Sequence, residues 1–276
     1  MCRLIIFHGN SVSCKRIFLY LIDLLIKVSK HDYKLEELYK CLNRKNRTPD
    51  HPDGYGYFIA LAKGRTVKHL YYYKSSNSIY EDVHGITNVK NIISSWNYEV
   101  YGLIHVRKAS INEPLGLLHS HPFIVRINDK LLSLIHNGSI NKSKVCLDLN
   151  FNQDICSKVS DSYMALIFLK HSIEHGAELL EAIKELMDKY VDNGRSSVLG
   201  VCNIDNDLID LYYGFRIKYH GECFEKIRDY YRPYILYYNG CTALVSSSIY
   251  DIIVRDKYYK NTIRSYIPPL NIIGKL

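Results

Sequence analysis

The chain has 276 residues, 47% of them hydrophobic and 23% charged, which describes a globular protein with a real core and argues against a disordered or fibrous one. Its net charge of +8 is spread along the sequence, and the densest basic run, "KCLNRKNR" at 40–47, reads as a solvated loop rather than a nucleic-acid patch. The eight cysteines form neither a CxxC pair nor a close Cys/His ladder, which speaks against structural zinc.

The first predicted element is a buried strand over 2–8, where Cys2 leads straight into Leu4, Ile5, Ile6 and Phe7. Helical spacing follows at 16–29. Its core, "IFLYLIDLLIKV" (17–28), is too short and too interrupted by Asp23 and Lys27 to span a bilayer, and those two side chains fall four apart on one face. Strands are predicted at 56–62 and 67–73 around "LAKGRTV", then at 99–107, and at 122–127 and 131–136 around Asn128-Asp129. Helices follow at 161–174 and 177–191, separated by Gly176, with Asn193-Gly194 stopping the second. The last strands are predicted at 197–203, 207–214, 234–238 and 242–247. Paired strands with helices set between them predict antiparallel sheets covered by helices rather than a parallel βαβ array. No repeat or Pro/Gly-rich linker divides the chain, so a single domain over 1–276 is expected. The 25 tyrosines suit half-buried strand surfaces better than base stacking. The cysteines are expected mostly as small buried hydrophobes in a reducing cytosol, and no signal peptide is visible. S-palmitoylation near the N-terminus is a minor alternative.

Cys2 directly follows the initiator, so removal of Met1 would place a thiol and a free α-amine on one residue. An α-amine with a pKa of about 7.7–8.0 is partly neutral near pH 7 and can serve as the base for its own thiol. Acyl transfer also needs donors for an oxyanion, and Asn137-Gly138 in "LIHNGSI" offers a side-chain amide and a backbone N–H. An amino-acid substrate needs a carboxylate clamp and an ammonium partner; Arg107 and Asp161 suit these tasks. Each has a plainer reading: a salt-bridged strand arginine, a helix cap and a turn dipeptide. His105, His119, His121 and His136 invite a metal site, but no carboxylates in register support one, and no metal or cofactor is expected.

Taken in order, these stretches resemble the class II glutamine amidotransferases of the N-terminal nucleophile hydrolase superfamily. "MCRL" is similar to the start of the stand-alone branch, "DGYG" (53–56) to its DGWG turn and "HVRKAS" (105–110) to its HxRWAT segment. "HPF" and "HNG" match directly, "SDS" (160–162) resembles its helix start, and "CTALVSSSIYD" (241–251) its late strand. The resemblance implies an α+β fold, a four-layer αββα sandwich of two antiparallel sheets flanked by helices. It implies Cys2 as nucleophile with its α-amine as base, Asn137 and Gly138 for the oxyanion, and Arg107, Ser110 and Asp161 for the substrate. Asp53, Gly54 and Gly56 would shape a nearby turn, and His121 would order a loop. The implied activity is hydrolysis of glutamine or a γ-glutamyl compound through a thioester, in the cytoplasm, with a separate ammonia-accepting synthase as a candidate partner and no membrane or nucleic-acid role. The chain departs from the pattern at Lys108, Ser110, Ile111-Asn112, Tyr163 and Ser247-Ser248. These departures keep open a catalytically silent relative acting as a binding or regulatory subunit.

Overall fold

The computed structural model describes residues 2–10, 12–44, 46–95, 97–111 and 113–276. Met1 and Asn112 therefore lie outside the described residues, as do the expectations attached to them. In chain order the elements are β1 (Arg3–Gly9), α1 (Val12–Lys30), α2 (Tyr33–Cys41), β2 (Tyr55–Lys63), β3 (Thr66–Ser75), α3 (Val83–Ser95) and β4 (Glu99–Val106). They continue with β5 (Phe123–Ile127), β6 (Lys130–Gly138), α4 (Lys142–Asp148), α5 (Gln153–Lys158), α6 (Asp161–Glu174) and α7 (Leu179–Tyr190). The remainder are β7 (Ser196–Asp205), β8 (Leu208–Ile217), α8 (Phe224–Tyr231), β9 (Pro233–Tyr238), β10 (Cys241–Ser246), α9 (Ser247–Ile253), β11 (Arg264–Tyr266) and β12 (Ile272–Lys275).

The strands run antiparallel in the order β11-β9-β10-β1-β4-β2-β3-β8-β7-β6-β5, with β12 beside β8. Only Thr66↔Leu208 joins β3 to β8, and at that seam the ladder folds into two facing sheets. Period-2 alternation explains the layers. Ile5 and Phe7 of β1 and Tyr57, Ile59 and Leu61 of β2 face α1, α3 and α9. The intervening Leu4, Ile6, Phe58 and Ala60 meet Ile135, Val198, Cys202 and Leu211 across the sandwich. On the far side, Leu132, Leu134, Leu199 and Val201 pack under α4, α6 and α7. The expected αββα sandwich is the observed one.

Ten strands and three helices stand close to their sequence positions, whereas α2, α3, α4, α5, α8 and α9 and the edge strands β11 and β12 were not anticipated. The late strand stops at Ser246, and the following serines open α9 instead. Asp23 pairs with Lys90 of α3 rather than along its own helix, because a packed neighbour supplies the closer cation.

The expectation of reduced cysteines is overturned. Six of the eight form disulfides: Cys14–Cys241, Cys41–Cys223 and Cys146–Cys156. The first two join positions 227 and 182 residues apart, pairings that only the folded topology brings within reach. Cys2 and Cys202 remain free and buried. Among the described residues, no helix is long and apolar enough to cross a membrane.

Candidate active site

Cys2 sits at the mouth of β1, 8% exposed, with its backbone nitrogen donating to Asn137 Oδ1 at 2.8 Å. A donor at that position fixes the amide orientation and turns Asn137 Nδ2 away from Cys2 N. The Cys2 thiol approaches Lys108 O at 3.8 Å. Asn137 and Gly138 are the last residues of β6, paired with Val198 and Ser197, so they form a strand end and not a turn. Gly138 has φ +140°, and a Cβ there would stand 2.2 Å from Ser196 O, so no larger residue fits without moving backbone.

The residue behind Cys2 is locked by a buried ion pair. Arg3 Nε meets Asp32 Oδ2 at 2.5 Å, both side chains fully buried. Arg3 also donates to Tyr230 O (2.8 Å) and Ser248 Oγ (2.5 Å), and its guanidinium lies 3.7 Å above the Tyr230 ring. Ser248 in turn donates to Asp32 Oδ1, and His51 Nε2 lies 3.0 Å from Asp32 Oδ2. Despite its burial, Asp32 is held well below the ordinary carboxylate range by Arg3 and His51. Tyr230 OH returns to Cys2 O at 3.5 Å. Ser247 and Ser248, where the sequence departs from the family text, are thus part of this anchor.

Arg107 follows β4 and is 4% exposed. Its backbone is bracketed by the 53–56 turn: Arg107 N donates to Gly54 O (2.8 Å), Asp53 N to Arg107 O (3.1 Å), and Ala109 N to Asp53 Oδ2 (2.8 Å). Arg107 Nη2 donates to Pro114 O at 2.8 Å, while Nη1 is buried with no partner among the described residues. A buried, unpaired guanidinium nitrogen costs free energy unless a ligand satisfies it. The salt-bridged reading of Arg107 is therefore not what the structure contains.

The helix-cap reading of Asp161 also fails. Ser160 is the N-cap of α6, accepting from Tyr163 N. Asp161 is the first helical residue; its Oδ2 accepts from Ile140 N (3.0 Å) and its Oδ1 from Ser162 Oγ (3.2 Å). Tyr163 packs edge-on against Phe123.

Three histidines gather beside Cys2 although their strands are far apart in sequence. His105 donates from Nε2 to His136 O at 3.0 Å, and burial pushes its pKa down to about 3. His136 bridges Ser162 and Ser197 and is likewise lowered by burial. His121 packs against His105 with ring centroids 3.9 Å apart and planes tilted by 40°, and neither of its ring nitrogens has a partner among the described residues. Burial, reinforced by its histidine and cationic neighbours, holds His121 neutral. Among the described residues no group of three or more His, Cys, Asp or Glu side chains is arranged to hold a metal ion.

Cys2, Arg107, Ser110, Gly138 and Asp161 line one cavity of about 320 Å³, within the range of small-molecule sites. Lys108 forms part of its wall, its ammonium on Asp50 Oδ1 at 2.8 Å. The same cavity is lined by Arg44, Arg47, Glu113 and Arg195, which sequence reading did not single out. Only the basic run at 40–47 signalled two of them, and it was assigned to solvent. Glu113, half-buried near Asp161, is pushed above its ordinary carboxylate value by desolvation and by that neighbouring carboxylate.

Neither a family model nor a curated protein matches the chain. Among solved structures, the allosteric regulatory enzyme of purine biosynthesis aligns at 15% identity and a TM-score of 0.53 over 98% of this chain, which spans about half that enzyme's length. A predicted glutamine amidotransferase from Pseudomonas aeruginosa aligns at 11% identity and a TM-score of 0.33, over 100% of this chain and 90% of that one. At 15% identity the likeness to the first of these is one of fold alone.

Proposed function

We propose that the chain is a class II-type glutamine amidotransferase whose nucleophile is Cys2 after removal of Met1. The observation that carries this reading is the meeting of Cys2 N with Asn137 Oδ1 at 2.8 Å, behind a cavity lined by Cys2, Arg107, Gly138 and Asp161 but not by Asn137 itself. In the reading, Arg107 takes the substrate α-carboxylate with its buried free Nη1, and Asp161 takes the α-ammonium. Ser110 completes the rim around the amino-acid head.

The steps follow from the groups present. The Cys2 α-amine accepts the thiol proton, and Sγ forms a bond to the side-chain amide carbon. The oxyanion is held by Asn137 Nδ2 and the Gly138 N–H, donors fixed before charge develops. The carbon–nitrogen bond breaks, the amine returns the proton to the leaving nitrogen, and a γ-glutamyl thioester remains. Water, deprotonated by the same amine, cleaves the thioester to glutamate and free thiol. Burial lowers the pKa of His105, His121 and His136, which makes them weaker bases than the amine, and in this reading they support the walls. A separate synthase is the natural acceptor of the ammonia.

The test is ammonia release from glutamine by the mature protein and by Cys2→Ala. The reading expects turnover in the first and loss of at least about 1,000-fold in the second. A properly folded mature protein that binds glutamine but releases no ammonia would be the silent relative instead.

A further inference from the structure

The cavity carries more positive charge than glutamine can use. Five cationic side chains line it, Arg44, Arg47, Arg107, Lys108 and Arg195, against two carboxylates, Glu113 and Asp161. A zwitterionic amino-acid head engages one of each. Lys108 is held by Asp50, and Glu113 faces Lys142 at 3.8 Å. Arg44, Arg47 and Arg195 remain, and among the described residues none of them forms an ion pair with a carboxylate. They arrive from two distant segments, the loop after α2 and the turn after α7. Arg44 and Arg195 are exposed and Arg47 is half-buried, so water screens their mutual repulsion, but together they give the opening a positive field that favours an anion.

The arginines also have a place to hold it. Of two neighbouring cavities, Arg47 lines only the first, while Arg44, Gly138, Ser139 and Arg195 also line the second, a recess of about 220 Å³. Its other wall is apolar, formed by Leu38, Leu42, Ile227 and Tyr231. Ammonia would need no such space.

We propose that the preferred amide donor is a γ-glutamyl amide whose leaving amine bears an anionic group, a carboxylate or a phosphate, seated on Arg44, Arg47 and Arg195. This rests on the amidotransferase reading for the γ-glutamyl half and extends it to the leaving half. Guanidinium groups match either anion with paired N–H donors.

Three probes separate the possibilities: γ-glutamylglycine, its neutral counterpart γ-glutamylglycinamide, and γ-glutamyl phosphoethanolamine. Binding is measured by calorimetry in full-length Cys2→Ala, where turnover does not intervene, and kcat/KM is measured in the unsubstituted protein. The expected result is a preference on the order of 10–100-fold for an anionic probe over the amide, shrinking as salt is raised. The better anionic probe identifies carboxylate or phosphate. Adding Arg44→Gln and Arg195→Gln to the Cys2→Ala background should bring the ratio to within about twofold. A ratio near one before these substitutions, or a preference that survives them or ignores salt, overturns the proposal. Glutamine turnover is scored separately. Absence of turnover with glutamine and with all three γ-glutamyl probes, alongside an intact binding preference, would refute the amidotransferase reading and leave the anion site standing; turnover without preference would do the reverse.

Discussion

Asn137→Asp isolates the oxyanion contact with the smallest change of shape. Asn137 is 2% exposed, and its Oδ1 already accepts from Cys2 N at 2.8 Å. The aspartate keeps that acceptor but deletes the Nδ2 donor and adds a negative charge beside the position where the amide oxygen becomes an oxyanion. Loss of one such donor typically slows turnover 100–1,000-fold, and repulsion in a site this dry adds to it, so kcat should fall at least about 1,000-fold, or about 4 kcal/mol of transition-state stabilisation. KM should change little, because the proposal rests the amino-acid head on Arg107 and Asp161. Asn137→Ala, which loses donor and acceptor without gaining charge, should be impaired about 100–1,000-fold. The assay pairs steady-state ammonia release with the rate of alkylation by an electrophilic glutamine analogue, which should persist in both variants because thiol and amine survive. Suppose Asn137→Asp turns over faster than Asn137→Ala. Holding the Cys2 amine would then be the dominant role of Asn137, and the oxyanion would have to be stabilised elsewhere. A raised KM with intact kcat would make Asn137 a ground-state contact.

Further outcomes follow from the same geometry. Arg107→Lys keeps the charge but loses the fork whose Nη1 awaits a carboxylate, so kcat/KM should fall by about 2–3 kcal/mol; near-normal kinetics would return Arg107 to a structural role. Burial lowers the pKa of His105, His121 and His136, so below about pH 6.5 the unfolded chain takes up protons that the folded chain refuses. Stability should accordingly rise with pH up to about 6.5, by at most about 1.4 kcal/mol per unit for each histidine, and urea midpoints equal at pH 5 and 7 would contradict this. Asp32, lowered in the fold, acts in the same direction only below about pH 3.9, where its contribution is lost. Arg3→Met leaves Asp32 buried without its main partner and should cost about 3–5 kcal/mol, whereas adding Asp32→Asn should recover part of that; equal stability of both variants would show that the pair is not coupled.

Much of the layer structure was legible because each strand feeds two cores alternately. Leu4 and Ile6 against Ile5 and Phe7 can be read from letters alone. The long amphipathic α6 and α7 were legible for the same reason. The short helices were not: α2 is nine residues long, and its capping Asp32 serves at once as the partner of Arg3, a role no local pattern announces. The disulfides escaped because pairings such as Cys41–Cys223 depend on α2 meeting α8 in space. The ordered motifs located Cys2, Arg107, Gly138 and Asp161 on one cavity, since their types are dictated by chemistry. Arg44, Arg47 and Arg195 carry no periodicity or spacing that ties 40–47 to 195. Only the fold brings them to one opening.

The central claim is that Cys2, with a free α-amine, is the nucleophile. Intact-mass measurement and peptide mapping of active protein after treatment with an electrophilic glutamine analogue test it most directly. The account predicts a chain beginning at Cys2 and carrying one equivalent of label on that residue, with none on Cys2→Ala. Full activity in protein that retains Met1, or labelling at another cysteine, would contradict it.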